Sequence, residues 1–150
     1  MNEISIRVVG IPAAQGSKTL TRYGAMMESS KKVKPWRKNV EKAALECYDS
    51  GAINFPVKVE IEFMFPRPIS HYRTGQFAHL LKDSAPKHCI SRINGDIDKL
   101  SRSTLDGLSV SAGGSVLEDD CLAVELCARK RYVKKDELPG AHIAISSVNL

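Results

Sequence analysis

Val57-Lys58-Val59-Glu60-Ile61-Glu62-Phe63-Met64-Phe65 sets apolar odd residues against mostly charged even ones. A helix would scatter the odd set around its circumference, whereas a strand points alternate side chains to opposite faces and gathers them on one side. The chain therefore holds a sheet strand whose odd residues face a core, and another apolar layer has to cover that face. Ile4, Ile6 and Val8 repeat the pattern over residues 3–9, where Gly10-Ile11-Pro12 ends it. Leu122, Val124, Leu126 and Ala128 repeat it before Arg129-Lys130-Arg131. Ile143 and Ile145 mark a last strand over residues 141–147, after Leu138-Pro139-Gly140.

Two stretches repeat at steps of three and four instead. Trp36, Val40, Ala43, Ala44 and Cys47 predict a helix over residues 35–48, opened by Pro35 and stopped by Asp49-Ser50-Gly51. Ile97, Leu100, Thr104, Leu105 and Leu108 predict a second over residues 98–110. The order β, α, β, α, β, β implies an α/β (α+β) domain of two layers, with a mixed sheet of about four strands and both helices on one face. A length of 150 residues suits one such domain, residues 1–150. Residues 13–34 read as a structured polar loop with room for a short hairpin at Tyr23-Gly24-Ala25-Met26-Met27. Residues 66–95 hold three prolines and no sustained period, which is too long for an ordinary connection and marks a functional loop.

Lys and Arg outnumber Asp and Glu by 22 to 17, for a net charge of +5, a mild bias toward a polyanionic partner. Position matters more. The 66–95 loop carries Arg67, Arg73, Lys82, Lys87 and Arg92 against Asp83 alone, together with His71, His79 and His88. Lys18, Arg67, Arg73, Lys87, Arg92, Arg129, Lys130 and Arg131 are the candidate phosphate contacts, giving affinity without sequence preference. No apolar run nears the roughly 20 residues that cross a bilayer, and the N-terminus lacks a basic-then-apolar leader, so no membrane role and a cytoplasmic location are expected. Cys47, Cys89, Cys121 and Cys127 form no Cys-x-x-Cys pair and are read as reduced, buried side chains.

Gly95-Asp96-Ile97-Asp98 places two carboxylates two residues apart. On extended backbone they point to the same side and reach one hard cation, and Mg²⁺ or Mn²⁺ held by carboxylates near a basic surface suits phosphoryl transfer. Asp98 also fits the N-cap of the second helix, a purely structural role for which Asp96 is not needed. Glu118-Asp119-Asp120 joins these acids only where the third strand starts beside that helix, and is otherwise a solvated turn. Asp98, Arg102 and Asp106 stack at i, i+4 and i+8 with Lys99 and Ser103 adjoining. They suit an exposed ion-pair ladder, and, without excluding it, Lys99 or Arg102 within reach of the metal site stabilises transition-state charge.

Asp96-Ile97-Asp98-Lys99-Leu100-Ser101-Arg102-Ser103-Thr104-Leu105-Asp106-Gly107-Leu108 followed by Leu117-Glu118-Asp119-Asp120-Cys121-Leu122-Ala123-Val124 resembles the RusA family of Holliday junction resolvases. That family's pattern is Asp-x-Asp-Asn-Leu, a basic residue, Asp-Ala-Leu, a glycine-containing turn and Asp-Asp-x-x-Val. Gly10-Ile11-Pro12 with Gln15-Gly16-Ser17-Lys18 is similar to its first strand and loop, and Trp36-Arg37 to the start of its first helix. The resemblance implies a dimeric, Mg²⁺-dependent endonuclease that cuts four-way DNA junctions by symmetric nicks. It puts the metal carboxylates on Asp96, Asp98 and Asp120, with Asp119 in support and Lys99 and Arg102 in the catalytic set.

Three positions depart from the pattern. Lys99 replaces the usual Asn, Arg102 stands where a functional Lys is common, and Gly95 replaces a Pro. Arg cannot donate a proton as Lys can, so Lys99 is expected to take over the lysine's role. Phe63, Phe65 and Pro66, or Met26-Met27, are candidate dimer contacts. Two other readings stay open, a branched-DNA-binding protein without catalysis and a different metal-dependent phosphoesterase.

Overall fold

The computed structural model describes residues 1–16, 18–20, 22, 26–28 and 31–148, with backbone alone for residues 18–20 and 26–28. Along the chain run β1 (Ile4–Val9), β2 (Lys18–Leu20), β3 (Met26–Glu28), α1 (Val33–Cys47), β4 (Val57–Phe65), α2 (Ile97–Leu108), β5 (Ala123–Tyr132) and β6 (Gly140–Ser147). The main sheet has the order β1-β6-β4-β5. β6 is antiparallel to both β1 and β4, while β4 and β5 are parallel. A parallel pair needs a long crossover, and here the 66–95 loop and α2 make it.

The odd residues of β4 are buried, together with Ile4, Ile6 and Val8 of β1 and Ile143 and Ile145 of β6. The helices close that face with Val33, Trp36, Val40 and Ala44 from α1 and Leu100 and Leu108 from α2. α1 packs on β1 and on α2. The buried Trp36 indole finds its hydrogen-bond acceptor in Thr104 Oγ1 at 3.1 Å, which joins the helices. Gly107 lets them approach, since a Cβ there would stand 2.9 Å from Val40 Cβ. The result is a mixed four-stranded sheet covered by two helices, an α+β fold.

Burial of Phe63 and Phe65 also removes them as dimer contacts. The side chains of Met26 and Met27 lie outside the described residues. So do Tyr23, Gly24 and Ala25, the expected hairpin centre, although β2 and β3 do pair antiparallel on either side of it, with Lys18 opposite Glu28.

Helix boundaries differ from the sequence expectation. α1 starts at Val33, so Pro35 sits inside the first turn, where its missing N–H has no partner to lose. α2 starts at Ile97 and ends at Leu108, because Asp96 and not Asp98 is the N-cap, with φ −81° and ψ 143°. The Leu100 N–H donates to the Asp96 carbonyl at 3.0 Å.

β5 departs furthest. It is one of the two edge strands, and its register slips so that Ala123 faces Val57 while Glu125 faces Lys58, leaving Val124 as a bulge. Val124 and Leu126, expected in the core, are exposed. The strand also continues through Arg129-Lys130-Arg131 to Tyr132. Of the four free cysteines only Cys89 is buried; Cys47, Cys121 and Cys127 are exposed on outer surfaces, contrary to the expectation of buried side chains.

The 66–95 loop is organised around Tyr132. The Arg67 guanidinium lies 4.2 Å from that ring's centroid and donates to the Pro86 carbonyl at 2.6 Å, while His71 meets the ring edge-on at 5.5 Å. Among the described residues no helix is long and apolar enough to cross a membrane.

Candidate active site

The site forms where three segments meet the start of α2. Residues 10–16 dock on the helix, with the Gln15 N–H donating to the Lys99 carbonyl at 3.1 Å and Ser103 Oγ donating to the Ala13 carbonyl at 2.6 Å. Gly95 precedes the cap with φ +87°, and a Cβ there would stand 2.5 Å from Ala14 Cβ. Proline, locked near −65°, cannot adopt that conformation, which accounts for glycine where the related pattern has proline. From β5, Lys130 Nζ donates to the Gly95 carbonyl at 2.8 Å.

Asp96 and Asp98 are both exposed at the N-terminal end of α2, where the unpaired N–H groups favour negative charge. The backbone between them is not extended, since Ile97 and Asp98 are already helical, so alternation does not put the two carboxylates on one side. Asp96 makes no side-chain cap hydrogen bond and pairs with Lys99 Nζ at 3.7 Å. Asp98, Arg102 and Asp106 close no ion pair within 4.0 Å among the described residues, so the ladder expected of a purely structural face is not formed.

The second acid cluster does reach the helix. Asp119 caps a single 3₁₀ turn, Asp120–Leu122, by accepting from the Cys121 N–H at 2.9 Å, and this turn lies against α2. That backbone hydrogen bond holds the Asp119 carboxyl below its ordinary range. Asp120 is pushed the other way, first by burial, then by Asp119 and by Asp106 of α2, with Arg102 opposing. Asp120 thus has two other carboxylates, Asp119 and Asp106, acting on it with one arginine against them. Such a set of hard oxygens, short of positive charge, suits a divalent cation in kind. Among the described residues no three or more His, Cys, Asp or Glu side chains gather closely enough to hold one.

The expected phosphate contacts separate into groups. Strand alternation places Lys130 on the helix-covered side, opposite Phe63, and puts Arg129 and Arg131 on the other face, opposite Glu62 and Met64. There Glu62 pairs with Arg129 at 3.3 Å and with Arg131 at 3.0 Å, and Arg131 also holds Glu137 at 2.6 Å. Hydrogen bonding to Arg131 lowers Glu137 to about 2 and raises Arg131 further. Arg67 is engaged with Tyr132 and Pro86, and Arg73 pairs with Asp83 at 3.6 Å. Lys87 and Arg92 are exposed, and the Lys18 side chain lies outside the described residues.

Two residues that sequence reasoning did not single out as site supports are Gln15 and Gly95. Gln15 is buried beside α2, and its Oε1 has no hydrogen-bond partner among the described residues. The signal available was Gln15-Gly16 itself, a polar pair directly after an apolar strand and turn. No curated protein matches the chain. The family model for endodeoxyribonuclease RusA matches residues 10–146, from the loop docked on α2 through nearly all of β6. That match spans nearly the whole chain, and the protein belongs to the RusA endodeoxyribonuclease family.

Proposed function

We propose that the protein is a divalent-metal-dependent endonuclease that resolves four-way DNA junctions by paired hydrolysis, acting as a homodimer in the cytoplasm. Asp96, Asp98 and Asp120 are the metal carboxylates, Asp119 supports Asp120, and Lys99 and Arg102 stabilise charge. The observation that carries this reading is the Asp119-Asp120 turn lying on α2, where Asp120 feels both Asp106 and Arg102. It brings the second acidic stretch to the helix that begins at Asp96 and Asp98, and with the family match this supports treating the two stretches, more than twenty positions apart in sequence, as parts of one site.

Bound Mg²⁺ or Mn²⁺ would polarise the scissile phosphate and lower the pKa of an attacking water. The protein's own groups do the rest. Asp96 and Asp98 sit at the positive end of a helix, where negative oxygen donors are favoured. Arg102 carries a planar fork of donors that matches a phosphate, so it neutralises developing charge without moving a proton. Lys99 brings a second cation within reach of Asp96. The cation that meets the carbonyl ahead of Asp96 is Lys130, which fixes the backbone from which that carboxylate projects.

The test is cleavage of a synthetic four-way junction with and without Mg²⁺, with linear duplex as control. Asp98→Asn and Asp120→Asn should each abolish cutting while junction binding, which comes from basic groups, survives. Continued cutting by either variant would remove the carboxylate site.

A further inference from the structure

Single exposed apolar side chains are ordinary on a protein surface. Ile90 and Ile93 are placed differently. The segment that carries them is closed on itself: the Cys89 thiol donates to Asn94 Oδ1 at 3.3 Å, the Ile93 N–H to Ser91 Oγ at 3.3 Å, the Asn94 N–H to the Ser91 carbonyl at 3.2 Å and the Gly95 N–H to the Arg92 carbonyl at 3.1 Å. Cys89 is buried at one end, and Lys130 holds Gly95 at the other. What this anchored turn presents to solvent is Ile90, 73% exposed, the exposed Arg92, and Ile93, 86% exposed. Asp96 follows three residues after Ile93. Both isoleucines are β-branched and stiff at χ1, so a backbone held this way presents two stiff, exposed apolar side chains three residues apart, here called the prong.

We propose that Ile90 and Ile93 are a wedge that enters the base stack at the branch point of junction DNA, with Arg92 and Lys87 on the flanking phosphates. This rests on the junction-cutting reading above. Charge selects the occupant: Arg67 is engaged with Tyr132 and Pro86 and Arg73 with Asp83, the one acid between Pro66 and Gly95, but Lys82, Lys87 and Arg92 make no ion pair among the described residues, so the prong stands beside cations left over for a polyanion. Bases are the apolar surface that lies behind a phosphate backbone, and isoleucine is among the side chains that DNA-bending proteins insert between base steps. A branch point, where stacking is already interrupted, is the cheapest place to enter. The wedge would then select branched over linear DNA and bring the scissile phosphate to Asp96 and Asp98 at the same time.

The experiment places 2-aminopurine beside the branch point and reads its fluorescence on binding in EDTA, then cutting of the same junction in Mg²⁺. The unsubstituted protein should raise the fluorescence. The Ile90→Ala, Ile93→Ala double variant should lose most of that rise and cut at least about ten-fold more slowly, with binding within about three-fold, and should recover on a junction with unpaired bases at the branch point. Ile69→Ala, at a position 91% exposed near the loop's other end, should behave as the parent. Full fluorescence and full cutting by the double variant would overturn the wedge, as would cutting by the parent without any rise. A change in the double variant's mass by light scattering, or its loss of binding to anionic phospholipid vesicles, would assign the prong to a second copy or a lipid surface and overturn it too. A parent that raises the fluorescence but never cuts supports the wedge and sinks the catalytic reading.

Discussion

Lys130 Nζ donates to the Gly95 carbonyl at 2.8 Å across a sequence separation of 35 residues. An ammonium on the edge strand thereby fixes the peptide that leads into the N-cap of α2, and with it the direction of Asp96. Lysine is needed here for its donor and reach, so loss of the side chain frees the Gly95 peptide without emptying the core. Lys130→Met should lower kcat for junction cutting by about ten-fold, in line with the cost of misplacing a reacting group, while the KM for junction stays within about two-fold. Lys130→Arg, which keeps a charged donor, should recover part of the loss. A rise in KM with kcat unchanged would make Lys130 a phosphate contact instead.

Lys99 and Arg102 serve different acids. Lys99 pairs with Asp96, whereas Arg102 is the cation whose field opposes the upward push on Asp120. Beside the expectation that Lys99 takes over the related lysine's role, we propose a division of labour in which Arg102 carries the larger share. Arg102→Ala should cost about a hundred-fold in cutting rate, as loss of an electrostatic stabiliser does, and Arg102→Lys should retain much of it. Lys99→Ala should cost less. Single-turnover rates on a saturating enzyme excess decide the order, and a larger loss at Lys99 would return the role to it.

The sheet and both helices are legible in the sequence because periodicity reports burial on one face, as Val57 to Phe65 shows most directly. The start of α2 is not legible, since Asp is a good cap at either position and the Gly95 peptide before Asp96, packed on Ala14 and held by Lys130, is a tertiary feature. β5 misleads for another reason. Its apolar alternation is real, but the strand lies at the sheet edge with a bulge at Val124, so Val124 and Leu126 remain exposed. The Arg129-Lys130-Arg131 run reads as one basic patch until its own strand period divides it between two faces. Contact between the Asp119-Asp120 turn and α2 is tertiary, and no local pattern announces it.

Away from the site, Glu137 couples stability to pH. Its carboxylate accepts from Arg131 at 2.6 Å and from the Lys134 N–H at 2.9 Å, and is lowered from an ordinary 4.5 to about 2. A carboxyl with a depressed folded-state pKa contributes stability that is complete above its unfolded value and disappears as pH falls through the folded one. The melting temperature should therefore hold down to about pH 4.5 and then drop toward pH 2 by more than in Glu137→Gln, whose profile lacks this component. Parallel profiles for the two proteins would show that the cluster does not contribute.

Paired cutting of a junction needs two sites related by its two-fold axis, so the simplest active species is a C₂ dimer with one set of acids per subunit. With Phe63 and Phe65 buried, the edge strand β5 is the contact we propose, with Val124 58% and Leu126 48% exposed on it. Light scattering at micromolar concentration should give about twice 16.5 kDa. Val124→Lys with Leu126→Lys, which places like charges at such a contact, should shift the protein toward monomer and abolish paired nicks. Mixing parent with Asp98→Asn subunits should produce heterodimers that nick a single strand. A monomer both free and on the junction would contradict paired cutting and leave a one-strand nuclease, while a dimer that survives both lysines would move the interface to another face.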